Sequence, residues 1–468
     1  MKLSEIIYGT GAKILRGSGD TEIASICSDS RKARPGSLFI AVKGFAVDGH
    51  DYIDSAIAAG AEAVISTDRH GLAVCASRFF DNPSRKLKLV GITGTNGKTT
   101  TVTLLYRFYM GLGYNCGLLS TIANYVGNRR METANTTADP ITINSLMAEM
   151  VVEGCEYCFM EVSSIGVEQE RVAGLDFSIG IFSNLTHDHL DYHKTFAEYL
   201  RCKKLFFDNL SKDAAAITNI DDRNGNVMVQ NTAARVVTYS CRTIADHSCR
   251  ILEQSFDGML LKIDGVEVWS KLIGKHNAYN LLAIYSTAVE LGCDPAEVLT
   301  GLSRLDPAPG RLENMRGPRG LSVIIDYAHT PDALENVLIT LREISPKRDL
   351  ICLFGCGGDR DTTKRPEMAA IAEKYADRIF VTSDNCRTEK PEDIMDGIRS
   401  GFSASGLAKS IFITDRKEAI RTAILTAREG STILLAGKGH ETYQIIGTEH
   451  LHFDEREIVD ETFKNLNR

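Results

Sequence analysis

The chain has 468 residues, with 53 basic and 61 acidic side chains and a formal net charge of −8. It has no long basic tract, which argues against nucleic-acid binding, and no apolar run of the roughly 20 residues that a membrane helix needs. The N-terminus lacks a signal-peptide core. The twelve cysteines show no zinc-site spacing, which indicates reduced thiols. We therefore expect a cytoplasmic α/β protein of about three domains.

Residues 1–84 are predicted to form the first domain. Residues 38–42 are apolar and β-branched between turn signals, which indicates a buried strand. Residues 51–61 have helical spacing, and residues 63–65 form a short strand. The turn at residues 81–84 contains Asn and Pro and marks the boundary.

A glycine-rich turn organises the second predicted domain, residues 85–305. The apolar run 87–90 precedes Gly-Thr-Asn-Gly-Lys-Thr-Thr at 94–100, and a helix follows over about 99–112. Glycines let the backbone approach a polyphosphate, and the helix N-terminus attracts its charge. Lys98 can reach the β- and γ-phosphates, and a hydroxyl at Thr99 or Thr100 can reach Mg²⁺. The alternative is an ordinary glycine turn with a surface lysine, since Ile92 replaces a glycine of the longer pattern.

Several predicted strands of this domain end in polar residues. Strands over 157–160, 179–182 and 215–219, with helices over 141–151 and 277–291, indicate a doubly wound sheet with its site at the carboxyl edge. Glu161 ends one strand and suits a Mg²⁺ ion held with phosphates. A solvated glutamate is the alternative.

Residues 184–193 hold three histidines and two aspartates. His189 could ligate a second divalent ion or contact phosphate, although a structural histidine is the alternative. Zinc is not expected, since no cysteine lies in this segment. Lys203 and Lys204 lie on the following helix, where the pattern alone predicts a solvated face.

Residues 306–468 are predicted to form a third, Rossmann-like domain. Strands are expected over 322–327, 350–355, 378–382 and 432–437. Three polar turns follow three of them and should meet at one edge of the sheet. In the second turn, Asp384 and Arg387 suit a zwitterion, because the carboxylate takes an ammonium and the guanidinium a carboxylate. A surface ion pair is the alternative.

Together these segments resemble the muramyl (Mur) ligases, the ATP-dependent amide-forming enzymes of peptidoglycan precursor synthesis. The motifs that carry the resemblance cover nearly the whole chain and lie at residues 94–100, 135–137, 160–164, 188–193, 326–332, 355–361 and 436–441. The resemblance implies an N-terminal α/β substrate domain, a central P-loop-type ATPase domain with a mostly parallel sheet, and a C-terminal Rossmann-like amino-acid domain.

The resemblance also implies residue roles. ATP would contact Gly94, Thr95, Asn96, Gly97, Lys98, Thr99, Thr100, Asn280, Arg311, Asp326 and His329. Catalysis would use Lys98, Glu161, His189 and Lys203. Two Mg²⁺ ions would be held by Thr99, Glu161, His189 and Lys203, the last as a carbamylated lysine. The UDP-MurNAc-dipeptide would contact Ser28, Ser30, residues 37–43, Thr136, Thr137, Ser163, Gln169 and Arg171.

The family divides by the amino acid that is added. Members that add meso-diaminopimelate typically carry Asp-Asn-Pro-Arg, and this chain has Asp384, Asn385, Cys386 and Arg387. Cys386 changes the rigidity of the loop, since proline fixes φ. The arginine would bind the distal carboxylate, which lysine lacks, and Gly437 and Glu441 would complete the pocket. Ile165 stands where the family usually has histidine.

The resemblance therefore predicts a monomeric enzyme that joins meso-diaminopimelate to UDP-MurNAc-L-Ala-D-Glu through an acyl phosphate, giving ADP and phosphate. The alternatives are an L-lysine-adding member, a folylpolyglutamate-type ligase and a non-catalytic nucleotide-binding homologue. Residues 28–43 disfavour the folylpolyglutamate type. Intact Lys98, Glu161, His189 and Lys203 argue against a non-catalytic protein.

Overall fold

The computed structural model describes residues 1–44, 47–133, 135–186 and 190–466. Contacts divide the chain into two compact units: residues 1–248 with 282–301, and residues 249–281 with 302–468. No helix in the described ranges is long and apolar enough to cross a membrane.

The start of the first unit is a four-stranded sheet in the order β1-β4-β3-β2, with β1 antiparallel to its neighbour. Its elements are α1 Leu3–Ile7, β1 Lys13–Arg16, β2 Ser25–Cys27, β3 Ser37–Ala41, α2 Ile53–Ala58, β4 Ala63–Ser66 and α3 Arg69–Phe79. The predicted strands at 38–42 and 63–65 correspond to β3 and β4. Strand β1 was not predicted, because all four of its residues are exposed and it has no apolar pattern.

The rest of the first unit is built on a mostly parallel sheet with the order β12-β11-β10-β5-β9-β6-β7-β8. Its elements are β5 Lys88–Thr93, α4 Lys98–Gly111, β6 Cys116–Leu119, β7 Asn124–Val126, β8 Arg129–Met131, α5 Pro140–Val152, β9 Tyr157–Glu161, α6 Ser164–Glu168, β10 Ile179–Phe182, α7 Leu190–His193, α8 Phe196–Asp208, β11 Ala215–Asn219, α9 Gly225–Val229 and β12 Arg235–Ser240. Helices α10 Lys275–Glu290 and α11 Pro295–Arg304 each have residues in both units.

Strand β5 lies in the middle of this sheet and pairs in parallel with β9 and β10. Its register places Thr93 beside Phe182 and Ile92 beside Glu161. The carboxyl ends of the three strands therefore share one edge, which is where the sequence analysis placed the site.

The second unit contains an antiparallel meander of β13, β14 and β15, a six-stranded sheet in the order β16-β17-β21-β18-β19-β20, and a two-stranded antiparallel sheet of β22 and β23. In the six-stranded sheet β16 is antiparallel to β17, and all other neighbouring strands are parallel. The strands are β13 His247–Ser255, β14 Gly258–Ile263, β15 Val266–Ser270, β16 Glu313–Arg316, β17 Ser322–Asp326, β18 Leu350–Phe354, β19 Arg378–Val381, β20 Ser410–Phe412, β21 Thr432–Ala436, β22 Tyr443–Ile446 and β23 Glu449–His452. The helices are α12 Pro331–Ile344, α13 Lys364–Tyr375, α14 Pro391–Arg399, α15 Ala404–Ala408, α16 Arg416–Leu425 and α17 Glu455–Leu466.

The four predicted strands of this sheet correspond to β17, β18, β19 and β21, which are buried along their length apart from Arg378. The flanking strands β16 and β20 were missed, because neither contains a fully buried residue. Short 3₁₀ helices complete the described elements at Ser30–Lys32, Gly49–Tyr52, Pro83–Lys86 and Pro318–Gly320.

Candidate active site

The glycine-rich loop joins β5 to α4 and leaves no room for larger residues. Gly94 has φ +151°, and a Cβ there would lie 1.9 Å from the Ser183 Oγ, while Gly97 has φ +89°. The Asn96 N–H donates to Asn184 Oδ1 (2.9 Å), and Ser183 Oγ donates to the Asn96 carbonyl (2.7 Å). The residues after β10 therefore hold the loop open at the N-terminus of α4, where backbone N–H groups attract anions.

Two lysine ammonium groups converge on this loop. Lys98 Nζ donates to the carbonyls of Gly94 (2.8 Å) and Thr95 (2.9 Å), and Lys203 Nζ donates to the Gly94 carbonyl (2.8 Å). Lys203 is 1% exposed, so the solvated face predicted from the pattern of α8 is wrong for this residue. The reason is non-local, since a loop carbonyl more than a hundred residues earlier satisfies its ammonium. Lys204 pairs with Asp208 (2.5 Å).

Glu161 is a buried carboxylate beside the first turn of α4. It accepts hydrogen bonds from Thr99 Oγ1 (3.0 Å), the Thr121 N–H (2.8 Å) and Thr121 Oγ1 (3.2 Å). A carboxylate and hydroxyls at the mouth of a phosphate loop are oxygen ligands of the kind that Mg²⁺ takes. Thr121 was not predicted, although it closely follows the end of β6 at the same sheet edge. His189 lies outside the described residues.

The threonine pair after β8 is linked to Glu161. Thr137 Oγ1 donates to the Glu161 carbonyl (2.9 Å) and accepts from the Ser163 N–H (3.0 Å), while Thr121 Oγ1 contacts Thr136 Oγ1 (3.0 Å). Arg171 donates to the Thr137 carbonyl (2.6 Å). Thr136, Thr137, Ser163 and Arg171, predicted together as substrate contacts, thus form one connected group next to the carboxylate.

A cavity of about 680 Å³ opens next to this group in the first unit. Ser28, Ser30, Gln169 and Arg171, predicted to contact the UDP-linked substrate, all line it. The sequence analysis missed several other lining residues: Asp29, Arg31, Tyr52, Arg69, Leu72, Asn135, Asp139 and Pro140. Three arginines and hydroxyl groups in a cavity of this size suit an elongated anionic ligand such as a nucleotide sugar.

A second group of predicted nucleotide contacts lies in the second unit. Asp326 is buried and accepts from the N–H groups of Leu312 (2.8 Å) and Ala328 (2.8 Å). Burial raises the pKa of Asp326, although the Arg311 charge acts against this shift. The Arg311 guanidinium lies 5.0 Å from the centre of the Tyr327 ring. Asp326 and Arg311 are therefore close enough for their charges to interact.

The two remaining contacts predicted for the nucleotide in this unit also have polar partners. His329 Nδ1 is 2.8 Å from the Tyr327 carbonyl oxygen, and Asn280 Nδ2 donates to Asn277 Oδ1 (3.0 Å). His329 thus adjoins the ring that Arg311 covers, while Asn280 lies on α10.

The three polar turns of the second unit meet at one sheet edge, as predicted. The Gly358 N–H donates to the Asn385 carbonyl (2.9 Å), and Asn385 Nδ2 donates to Glu441 Oε2 (2.9 Å). Thr388 Oγ1 donates to Asp359 Oδ1 (2.7 Å). The turns after β18, β19 and β21 therefore form one surface.

Buried charges lie beneath that surface. Lys438 is fully buried, with its Nζ 3.1 Å from Asn385 Oδ1, 3.1 Å from Glu441 Oε2 and 3.6 Å from Asp384 Oδ1. Burial alone would raise the pKa of Asp384, but the charges of Lys438 and Arg416 lower it below its usual value. A Cβ at Gly437 would lie 2.6 Å from Asp384 Oδ2. Neither Lys438 nor Arg416 was singled out from the sequence.

Arg387 is half-buried and adopts φ +52°. Its guanidinium donates to the Gly358 carbonyl (2.8 Å), whereas the nearest charge to Asp384 is Lys438. The ion pair between Asp384 and Arg387, which the sequence left open, is therefore not formed. The guanidinium of Arg387 can instead serve a ligand carboxylate.

Arg416 and Glu455 form a fully buried ion pair (2.8 Å) below the turns, and Arg416 also donates to the Ala436 carbonyl (2.8 Å). Arg416→Met is expected to lower the free energy of unfolding by about 3–5 kcal/mol, because it leaves Glu455 as an uncompensated buried charge. Urea denaturation measures this loss. The double variant Arg416→Met, Glu455→Leu should lose less than Arg416→Met alone, and an equal or larger loss would contradict the argument.

A phosphate-binding loop, a carboxylate with hydroxyls beside it and a separate Rossmann-like unit define an α/β enzyme that binds a nucleotide. The sequence matches three family models: "Mur ligase family, catalytic domain" at residues 22–91, "Mur ligase middle domain" at 92–288 and "Mur ligase, glutamate ligase domain" at 310–439. Together with the full-length relatives described next, they show that the chain belongs to the Mur ligase family.

Two curated relatives are named UDP-N-acetylmuramoyl-L-alanyl-D-glutamate–2,6-diaminopimelate ligase. The protein of Cytophaga hutchinsonii is 47% identical over 486 residues, covering 100% of both chains. That of Parabacteroides distasonis is 49% identical over 481 residues, covering 99% of each. A solved structure of a ligase with the same name is 30% identical, with a TM-score of 0.73 and coverage of 100% of this chain and 99% of that one.

Proposed function

We propose that the protein is an ATP-dependent ligase that joins meso-diaminopimelate to UDP-MurNAc-L-Ala-D-Glu and releases ADP and phosphate, a step of peptidoglycan precursor synthesis. The observation that carries the proposal is that the protein has all three sites which this reaction needs. They are the phosphate loop with Glu161, the cavity lined by arginines, and the charged turns around Arg387. The names of the full-length relatives support the choice of substrates. We also propose that it acts as a cytoplasmic monomer.

ATP binds with its phosphates against the loop of residues 94–100. Without ATP, Lys98 donates hydrogen bonds to the carbonyls of Gly94 and Thr95. When ATP binds, Lys98 donates to phosphate oxygens instead. Thr99, Glu161, His189 and Lys203 would hold the Mg²⁺ ions, which neutralise phosphate charge when bound. The buried amine of Lys203 points at the loop, so a carbamate on it would place another oxygen ligand there.

The muramyl-dipeptide lies in the cavity lined by Ser30, Gln169 and Arg171. Thr136, Thr137 and Ser163 adjoin Glu161, and they orient the substrate carboxylate toward the γ-phosphate. Phosphoryl transfer makes the acyl phosphate. The amine of the incoming amino acid then attacks the carbonyl carbon, phosphate leaves, and an amide bond forms.

The amino-acid site is the surface around Asp384, Asn385, Arg387, Gly437 and Glu441. Glu441 and Asp384 carry negative charge for an ammonium, while the Arg387 guanidinium can pair with a second carboxylate. Because lysine has no second carboxylate, Arg387 favours diaminopimelate. An L-lysine-adding ligase remains the second candidate, because Cys386 replaces the proline of the diaminopimelate motif.

Incubation with ATP, the muramyl-dipeptide and amino acid should yield ADP and phosphate in a ratio of one to one. An acyl-phosphate route breaks the bond between the β- and γ-phosphates, whereas an adenylate route would release AMP and pyrophosphate. Chromatography of the nucleotides decides between the two, and AMP as the product would overturn the proposed chemistry.

Glu161→Gln is expected to lower turnover at least about 100-fold, because the metal loses a charged ligand worth several kcal/mol. The amide can still accept from the Thr121 N–H, so the thermal midpoint should change little. Turnover measured against Mg²⁺ concentration should show a higher Mg²⁺ requirement. Glu153→Gln, at an exposed residue, is the control, and equal activities of the two variants would contradict the assignment.

A further inference from the structure

Three chemically different side chains from α6, α7 and α8 lie close together, and of these only the Glu168 side chain is partly exposed (30%). Glu168 ends α6, His193 ends α7 and Cys202 lies within α8. His193 Nδ1 is 3.5 Å from Glu168 Oε2, and one ligand atom from each residue lies within 4.8 Å of the other two. The side chains of His193 and Cys202 are fully buried.

The spacing between the ring nitrogen and the carboxylate oxygen fits a metal ion. Two ligands about 2.0–2.2 Å from a tetrahedral Zn²⁺ lie roughly 3.4 Å apart, whereas a hydrogen bond is shorter than the 3.5 Å seen here. The Glu168 side chain interacts with the Tyr192 hydroxyl, but its buried Oε2 atom makes no hydrogen bond of ordinary length to the described residues. A buried carboxylate oxygen without a hydrogen bond needs a partner, and a metal ion would supply one.

The other nitrogen of the same imidazole is already held in place. His193 Nε2 is 2.9 Å from Ser164 Oγ in the buried interior. Metal-binding histidines typically use their second nitrogen in such a hydrogen bond, which fixes the ring orientation and turns the first nitrogen toward the metal. Here that orientation directs Nδ1 at Glu168.

We propose that Glu168, His193 and Cys202 bind one Zn²⁺ ion, with water in the fourth position. Thiolate and imidazole together select zinc over Mg²⁺, so this site differs in chemistry from the one at Glu161. The thiol proton is released to solvent when the metal binds. The sequence analysis did not expect zinc, because residues 184–193 contain no cysteine; the thiol of the site proposed here lies on the following helix.

Titration of the full-length protein with Co²⁺ tests the site directly. One Co²⁺ ion per chain should give a thiolate-to-cobalt charge-transfer band, which Zn²⁺ should abolish by displacement; ions at the Glu161 site have no thiolate ligand and should not contribute to this band. Cys202→Ser should remove the band and weaken binding at least tenfold. Ser164→Ala should weaken binding about 10- to 100-fold, because it removes the hydrogen bond to the ligating ring.

Cys241→Ser is the matched control, since Cys241 is a partly exposed thiol of the same unit and should leave the band unchanged. If Cys202→Ser does not fold, Glu168→Gln replaces it and should weaken Co²⁺ binding likewise. Absence of a charge-transfer band in the parent protein overturns the proposal. A band that survives Cys202→Ser, or that Cys241→Ser removes, overturns it equally.

Discussion

Lys98→Met is expected to lower the rate of ATP-dependent product formation about 10³-fold, the usual loss when one preorganised donor to a developing negative charge is removed. The ammonium lies 2.8 Å from the Gly94 carbonyl, at the start of the loop that would hold the phosphates. Methionine keeps the length and the apolar stem of the side chain but cannot donate. Steady-state phosphate release measures the effect.

Lys86→Met is the control for this variant. Lys86 is exposed and pairs with exposed Asp81, so its loss should change turnover less than about twofold. Intact binding of the muramyl-dipeptide by Lys98→Met would show that the protein is folded. Activity of Lys98→Met within tenfold of the parent protein would mean that this lysine does not stabilise the transferring phosphate.

Arg387→Asn is expected to raise the KM for meso-diaminopimelate about 100-fold, since truncating one partner of a hydrogen-bonded charge pair costs about 2–5 kcal/mol. Asparagine suits this position because it adopts positive φ readily, and Arg387 has φ +52°. The substitution thus removes the guanidinium without straining the turn. Parallel assays with L-lysine should show no comparable loss, because lysine has no second carboxylate.

Arg360→Asn is the control for specificity, because Arg360 is an exposed arginine in the neighbouring turn. It should leave the KM for both amino acids within about twofold, as surface charges contribute little. An unchanged KM for diaminopimelate in Arg387→Asn would contradict the role of Arg387. An equal loss with both amino acids would show a general effect on the turn.

The strands and the phosphate loop could be predicted because their information is local. An apolar run followed by Gly94 and Gly97 encodes a strand, a tight turn and a helix within a dozen residues. Parallel strands ending in polar residues then placed Glu161 and the three turns of the second unit at sheet edges. These are the parts on which the family resemblance also rests.

The burial of Lys203 and Arg416 could not be predicted from the local pattern, because each depends on a partner far away in the sequence. The local sequence predicts Lys203 at the surface, and only the structure shows its hydrogen bond to the Gly94 carbonyl. In the same way, only the structure shows that Arg416 lies 2.8 Å from Glu455. Edge strands such as β1 were missed for the opposite reason, since an exposed strand leaves no apolar pattern.

The most direct test is the mass of the product formed from ATP, Mg²⁺ and UDP-MurNAc-L-Ala-D-Glu with meso-diaminopimelate, with L-lysine, or with no amino acid. The proposal predicts a product with diaminopimelate alone, together with one ADP per amide formed. A product with lysine instead would contradict the proposal that Arg387 selects diaminopimelate, and it would indicate that Cys386 changes the specificity of the turn. No product with either amino acid, from protein that still binds ATP, would contradict the proposed ligase function itself.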